Sequence, residues 1–420
     1  MFKPRFFYTL ALYLLLPFIP LRLLWRARKQ RAYLRHWPER FGWYRSVPQL
    51  EVIWIHAVSV GETRACAPLI DALQARYPQH RILLSHMTPT GRETGRALFG
   101  TRVIQAYLPY DYPGAMRRFL SHFHPAFGLL METELWPNLI AACQQRGTPL
   151  ALINARLSAR SARGYARVAG LARDTLHALP LICAQTRADA ERFTQLGAPR
   201  ITVTGNMKFD VAPPPNAADQ ALRLRALWGE QRAVVLLAST REGEEALVLD
   251  ALDTPLPHQL LVIVPRHPQR FDAVAALLTA RGVPFQRRSE NAPIRADTQA
   301  ILGDSMGEMF AYYGAADIAI IGGSLLPFGG QNLIEACTMG VPVILGPHTY
   351  NFAQAAEDAV AAGAALRVSD ARDALTHARQ LLQDTATRKQ MGEAAQRFAA
   401  THRGATGRTL TAIEEQQLAS

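Results

Sequence analysis

The stretch EVIWIHAVSVGETRACAPLIDALQARY (residues 51–77) holds two hydrophobic periods in succession. Val52, Ile53, Trp54 and Ile55 form an unbroken apolar run. A half-exposed strand alternates apolar and polar residues, so an unbroken run predicts a strand covered on both faces. Beyond HAVSVGE (56–62), Ala65, Leu69 and Leu73 recur at i, i+4 and i+8, with Cys66 and Ile70 beside them. That is the period of a helix with one buried face. The whole stretch therefore reads as one strand–turn–helix unit. Gly61 suits a backbone that turns sharply or passes close to a ligand. Glu62 falls in the first helical turn, where a carboxylate complements the helix dipole. It also lies beyond the carboxyl end of a buried strand, which is where open α/β sheets bind ligands.

The same alternation continues on either side of a proline-rich break. Strands are predicted at 81–88, 103–111, 126–132, 149–158, 181–186 and 201–206, with helical patterns between most of them. A series of this kind makes a mostly parallel sheet with helices on both faces and right-handed crossovers. VAPPPNAAD (211–219) carries three successive prolines and reads as a stiff linker. A second series follows at 233–240, 259–267, 299–304, 317–324 and 341–347, and the chain ends in helical patterns. The expected organisation is a basic N-terminal segment at 1–45, a first α/β domain at 46–210, a linker and connecting helix at 211–229, and a second α/β domain with terminal helices at 230–420. Two doubly wound domains joined by a hinge are expected to face a cleft.

The chain of 420 residues is 49% hydrophobic and 19% charged, enough to bury a sizeable core. Its net charge of +12 is unevenly spread. Residues 1–45 hold ten Lys and Arg, Lys3 and Lys29 among them, against the single acid Glu39, so nine of the twelve net charges lie there. A nucleic-acid-binding surface over the whole protein is not expected from that distribution. FFYTLALYLLLPFIPL (6–21) is about the length of a minimal membrane span but is interrupted by Pro17 and Pro20. Aromatic and basic residues follow at once: Trp25, Arg26, Arg28, Lys29, Arg31 and Tyr33. Rings and cations favour the headgroup region, and cations the cytoplasmic side. The reading is a membrane anchor, spanning or dipping, with the body of the protein in the cytoplasm. Cys66, Cys143, Cys183 and Cys337 have no metal or disulfide spacing and read as reduced core residues.

Several motifs sit at the predicted carboxyl ends of strands. In METELWPN (131–138), Glu132 ends the fourth strand and Glu134 is expected to start the next helix. First and fourth strands are neighbours in the common doubly wound order, so Glu62 and Glu132 are expected to approach each other. A helix N-terminus lowers a carboxylate's pKa and a second carboxylate raises it, a balance that a proton-abstracting Glu needs. GNMKFD (205–210) places Lys208 where it could reach an anion. In the second domain, IIGGSLLPFGGQNLIEA (320–336) reads as strand, glycine-rich loop and helix. A helix starting near Asn332 would point free N–H groups at a phosphate, and Glu335 could accept from ribose hydroxyls. The stretch matches neither a dinucleotide fingerprint nor a P-loop. VPRHP contributes Arg266 and His267, and GDSMGEM contributes Gly307, Glu308 and Met309. ASTREGEE (238–245) offers Ser239, Thr240 and Arg241 at a helix start. D-x-D is absent, so a divalent metal holding a diphosphate is not indicated. A monophosphate leaving group needs only a helix N-terminus and one or two cations.

HAVSVGE, METELWPN, GNMKFD, VPRHP, MGEM and GGQNLIEA, in this order and spacing, resemble the 3-deoxy-D-manno-octulosonic acid (Kdo) transferases of Gram-negative bacteria. The resemblance runs from the N-terminal segment to the end of the second domain. It implies the GT-B fold, two Rossmann-like domains facing a cleft. It implies an inverting, metal-independent transfer of Kdo from CMP-Kdo to the lipid A precursor at the cytoplasmic face of the inner membrane. No cofactor is implied beyond the donor itself. The implied partners are CMP-Kdo, the lipid A precursor and the anionic inner-membrane surface, with no nucleic acid. Carried onto this sequence, the match makes Glu62 the general base, with Glu132 and Lys208 supporting the transition state. It makes Pro265, Arg266, His267, Met306, Gly307, Glu308, Met309, Asn332, Leu333, Ile334 and Glu335 the donor-binding positions, and no residue a metal ligand. A UDP-sugar transferase acting on a polyprenyl lipid would share the glycine-rich loop and Glu335, and is the alternative on the same fold.

Overall fold

The computed structural model describes residues 4–45, 50–252 and 259–416. Lys3 of the basic segment and positions 46–49 at the start of the first α/β domain lie outside these, as does the side chain of Lys29. The chain forms two compact units, Met1–Asp210 with Arg403–Ser420, and Val211–His402.

The first unit is built on a seven-stranded sheet of β1 (Val52–His56), β2 (Arg81–His86), β3 (Val103–Tyr107), β4 (Pro125–Met131), β5 (Leu150–Ala155), β6 (Leu181–Ala184) and β7 (Ile201–Val203). Its order is β3-β2-β1-β4-β5-β6-β7 and each pairing is parallel. Every residue of β1 is buried, as its unbroken apolar run requires. Gly128 in β4 is what lets that strand lie against Trp54. A Cβ there would come within 2.6 Å of the indole and of Leu150. The turn after β1 departs from the single helix expected. Helix Val60–Ala65 ends at Cys66, and a second helix runs Ala67–Arg76 with Pro68 in its first turn. Proline cannot donate the hydrogen bond that would continue the first helix, so the chain restarts there. Gly61 is not in a left-handed conformation, and a Cβ on it would meet only Ser59 Oγ, at 3.8 Å. The turn itself therefore does not require glycine.

The second unit repeats the architecture with β8 (Ala233–Thr240), β9 (Gln259–Pro265), β10 (Phe285–Arg287), β11 (Ala300–Leu302), β12 (Ile318–Ile321), β13 (Val343–Leu345) and β14 (Ala365–Arg367). The order is β10-β11-β9-β8-β12-β13-β14, again parallel throughout. The edge strands β10 and β14 were not expected. Each is three residues long, and FQR and ALR carry no apolar run to announce them.

Residues 230–420 do not form one unit, because the last helix returns to the first. Helix Ala405–Glu415 packs on helix Ala67–Arg76, and Ala405, Ala412 and Ile413 share a core with Ile70 and Leu73. The Asp210 carboxylate accepts from the backbone N–H groups of Gly404 at 2.6 Å, Ala405 at 3.3 Å and Thr406, capping that helix. Arg76 Nε donates to Glu414 at 2.7 Å.

At the N-terminus, helices Pro4–Leu15 and Phe18–Lys29 meet at a bend of 58°. Among the described residues no single helix is long and apolar enough to cross a membrane, although this bent pair passes the same test by length and composition. One face of the first helix is tied to the α/β body. Tyr8 donates to Asp111 Oδ2 at 3.0 Å, Thr9 to Asn138 Oδ1 at 2.9 Å, and Tyr112 to the Leu12 carbonyl at 2.8 Å. The opposite face leaves Phe6, Phe7, Leu10 and Leu14 exposed, and Phe18, Leu21, Leu24 and Trp25 continue the apolar surface along the second helix.

Candidate active site

Glu62 is buried at the end of the β1 turn, 8% exposed. Ser59 caps its helix, its Oγ accepting from the Glu62 N–H at 3.2 Å. The same hydroxyl donates back to Glu62 Oε1 at 2.7 Å, and the Val58 N–H donates to Oε2 at 2.8 Å. The carboxylate is thus fixed by two donors. Its pKa is nevertheless raised to about 7, first by burial and second by the charge of Glu132, with the Ser59 and Val58 hydrogen bonds opposing. The sequence pointed to the neighbouring carboxylate. Burial, the larger cause, is a property of the folded unit alone.

The second carboxylate comes from the adjacent strand, since β1 pairs with β4 with His56 opposite Leu130. Glu132 has a left-handed backbone, φ 58°, while its N–H donates to the Ile153 carbonyl at 3.0 Å. A non-glycine residue held there costs about 1–3 kcal/mol, and such strain concentrates at functional positions. Lys208 Nζ lies 2.9 Å from Glu132 Oε1, so the structure brings Glu62, Glu132 and Lys208 together on one edge of one sheet. Glu134 does not start a helix. The helix begins at Pro137, and Glu134 accepts from the Trp136 indole at 2.7 Å.

Asn154 locates the lysine and was not foreseen. It too is left-handed, φ 49°, and fully buried. Its Oδ1 accepts from the Met207 N–H at 3.0 Å, and its carbonyl accepts from Gln185 Nε2 at 2.9 Å. The short 3-10 turn Met207–Asp210 that carries Lys208 is thereby pinned to β5, beside the strand that carries Glu132.

In the second unit the loops after β11, β9, β8 and β12 adjoin in that spatial order. Pro265 is the last residue of β9, and the Arg266 N–H donates to the Thr240 carbonyl at 3.0 Å. Arg266 Nε donates to Gln331 Oε1 at 3.1 Å, joining the VPRHP turn to the glycine-rich loop. The Arg241 guanidinium lies 4.8 Å from the centre of the Phe328 ring. His267 has its pKa lowered by burial and then by Arg266, Arg241 and Arg270, so three guanidiniums act on one point of this edge. Met306 and Gly307 are exposed in the turn before helix Met309–Ala315, with Gly307 at φ 83°. Glu308 accepts from Ser305 Oγ at 2.6 Å and from Arg288 at 3.1 Å.

The helix after the glycine-rich loop is short, Ile334–Thr338. Asn332 Oδ1 accepts from the Ile334 N–H at 3.0 Å, and its Nδ2 donates to Glu335 Oε1 at 3.1 Å. Leu333 and Ile334 have their side chains in the core. Gly329 and Gly330, at φ 89° and 76°, need a conformation that side chains resist. What shapes the loop is Glu244, which sequence reasoning passed over. Its buried carboxylate accepts backbone N–H bonds from Gly323 at 2.6 Å, Arg241 at 2.8 Å, Leu325 at 3.1 Å and Leu326 at 3.3 Å. Glu245 beside it is fully buried and takes Arg270 in two bonds of 2.7 and 2.9 Å. Two adjacent acids therefore hold three of the four loops.

Comparisons with known proteins agree across the chain. Residues 35–211 match a family model described as 3-deoxy-D-manno-octulosonic-acid transferase (kdotransferase), and residues 281–398 one described as glycosyl transferases group 1. A 3-deoxy-D-manno-octulosonic acid transferase of Bordetella pertussis is 48% identical over 97% of this chain and 98% of its own length. One from Haemophilus influenzae is 40% identical over 98% of each. Among solved structures, UDP-GlcNAc 2-epimerase from Neisseria meningitidis bound to UDP-GlcNAc is similar with a TM-score of 0.58 at 16% identity, covering 87% of this chain and all of that one. At that identity the likeness concerns the fold, which is GT-B.

Proposed function

Because the chain belongs to the 3-deoxy-D-manno-octulosonic acid transferase family, we propose that it transfers Kdo from CMP-Kdo to the lipid A precursor with inversion and without a metal ion. Membership makes it a glycosyltransferase that moves Kdo in lipopolysaccharide biosynthesis. The donor, acceptor, stereochemistry and residue roles are our reading, and the observation that carries it is the Glu62 carboxylate, buried at the end of the β1 turn and held by Ser59 Oγ and the Val58 N–H, with its pKa raised by that burial and by Glu132.

In this reading an acceptor hydroxyl oxygen attacks the anomeric carbon of Kdo while the bond from that carbon to the phosphate oxygen breaks. CMP leaves with the electron pair, and Glu62 takes the hydroxyl proton. Attack opposite the leaving group inverts the centre. A base works best when its pKa lies near the working pH, and burial beside Glu132 gives Glu62 that value. Lys208, paired with Glu132, supplies a cation for the carboxylate of Kdo. Arg266 and Arg241, on adjoining loops, would stabilise the phosphate of the departing CMP. The backbone at Gly307–Met309 and Asn332–Glu335 contributes N–H donors, and the Glu335 carboxylate accepts from ribose. Leu333 and Ile334 have their side chains in the core, and the Ile334 N–H is already taken by Asn332 Oδ1, so of the two Leu333 is the one that would contribute through its backbone.

The protein works at the cytoplasmic face of the inner membrane. It rests there on the exposed apolar face of helices Pro4–Leu15 and Phe18–Lys29 without crossing. Either helix alone rises about 18 Å, short of the roughly 30 Å of hydrocarbon, and the bend of 58° keeps the pair from acting as one straight span. The side tied to Asp111 and Asn138 would also have to leave the body in order to span.

The test is transfer itself. Full-length protein is incubated with CMP-Kdo and lipid A precursor in EDTA, and the lipid is read by mass spectrometry. A gain of Kdo mass supports donor, acceptor and metal independence together. No gain in EDTA that returns with added divalent metal overturns metal independence. Displacement of the donor by UDP in place of CMP overturns the nucleotide assignment.

A further inference from the structure

We propose that the cavity beneath the N-terminal helix is a binding site for the phosphate of an anionic phospholipid headgroup. It rests on the membrane-surface reading above. The cavity, of about 270 Å³, lies between helices Pro4–Leu15, Pro113–Phe123 and Pro137–Arg146, with Arg5, Phe6, Thr9, Arg117, Asn138 and Gln145 among its lining.

Two guanidiniums from different helices face one small space. Among the described residues, neither Arg5 nor Arg117 has a carboxylate within ion-pair distance. Arg5 does act electrostatically on Asp111. That carboxylate is already occupied by the Tyr8 hydroxyl at 3.0 Å and the N–H groups of Asn138 and Leu139 at 2.9 and 2.8 Å. Thr9 and Asn138 are likewise engaged, with each other and with the Asp111 carbonyl. The cations are therefore left for an outside anion, and a planar guanidinium pair suits phosphate oxygens. The wall of the same cavity names the rest of the ligand. Phe6 lines it and is also part of the exposed apolar face with Phe7, Leu10 and Leu14. An occupant whose phosphate meets the arginines thus has apolar surface next to it, as a phospholipid has and a free phosphate does not. The site would fix the depth and rotation of the first unit on the bilayer, where bulk attraction by basic residues fixes neither.

The test uses a water-soluble short-chain phosphatidylglycerol below its micelle concentration, titrated calorimetrically into the full chain. Saturable one-to-one binding is expected, weakened at least about tenfold in Arg5→Gln/Arg117→Gln, since both charge-assisted hydrogen bonds to the phosphate are lost. Arg28→Gln/Arg31→Gln removes the same charge elsewhere in the basic segment and should bind as wild type does. Equal weakening in both variants overturns the proposal in favour of diffuse attraction. Inorganic phosphate binding as tightly as the lipid overturns the lipid source, and short-chain phosphatidylcholine binding as tightly overturns the anionic preference. Flotation of wild type with phosphatidylglycerol vesicles runs beside it. No flotation removes the membrane-surface reading and the proposal with it. Flotation without saturable binding of the soluble lipid removes the proposal alone.

Discussion

Glu62 is a carboxyl that folding keeps protonated up to about pH 7, against an ordinary value near 4.5. Two consequences follow, with opposite signs. If Glu62 is the base, activity needs it deprotonated, and kcat/KM should rise with pH through an acid limb near 7. Stability should fall over the same window. Between the two values the folded chain binds more protons than the unfolded chain, and folding then weakens as pH rises. Glu62→Gln removes this ionisation, so from about pH 5 to about pH 8 it should lose less stability than wild type, by on the order of 2–3 kcal/mol, while the buried Asp111 carboxyl titrates in both. Differential scanning at both pH values checks this, and parallel losses in the two proteins would deny that Glu62 is the titrating group. Glu132 is the second cause of the raised pKa, so Glu132→Gln should move the acid limb to lower pH in whatever activity remains. A limb that stays in place would mean that burial alone sets it.

Elements matter here through what pins them. Asn154 ties β5 to the turn carrying Lys208, so Asn154→Ala should lower kcat for transfer while leaving CMP affinity within about twofold, as a change confined to one unit would. Single-turnover rates and calorimetry separate the two, and a matching loss of CMP affinity would show a wider disturbance. Glu244 does the corresponding work in the second unit. Glu244→Ala strands four backbone N–H groups and should weaken CMP binding and cost about 2–4 kcal/mol of that unit's stability. An unchanged melt with intact CMP binding would show the loop to be self-supporting. Only part of this was legible in advance. Unbroken apolar runs gave the central strands, and the parallel order then made Glu62 and Glu132 neighbours. The S-x-x-E spacing of Ser59 and Glu62 is itself a capping-box pattern. Glu244 and Glu245, by contrast, read as an ordinary acidic helix start in REGEE. Nothing local marks an acid that the distant loop 322–326 will bury. Asn154 lies inside a strand pattern, where its left-handed turn leaves no trace.

For the whole molecule, periodicity located both sheets yet could not assign the last helix. Its apolar stripe fits either unit, and Asp210 with the Ile70–Leu73 surface decides for the first. Truncation after His402 should therefore destabilise the first unit, and loss of transfer with CMP binding retained would report it. The apolar face of the N-terminal helices is a second whole-molecule feature. Phe6→Ser/Phe7→Ser/Leu10→Ser should release the protein from vesicles in flotation, since each large side chain buried contributes about 1.5–3 kcal/mol. Retained flotation would place the contact elsewhere. If Glu62 removes the acceptor proton in Kdo transfer, the pH dependence of single-turnover transfer in wild type and Glu62→Gln will show it. Wild type should show an acid limb near 7, and the variant should be slowed by about 10²–10⁴-fold and lack that limb. A variant that keeps the limb, or turns over at near wild-type rate, contradicts it.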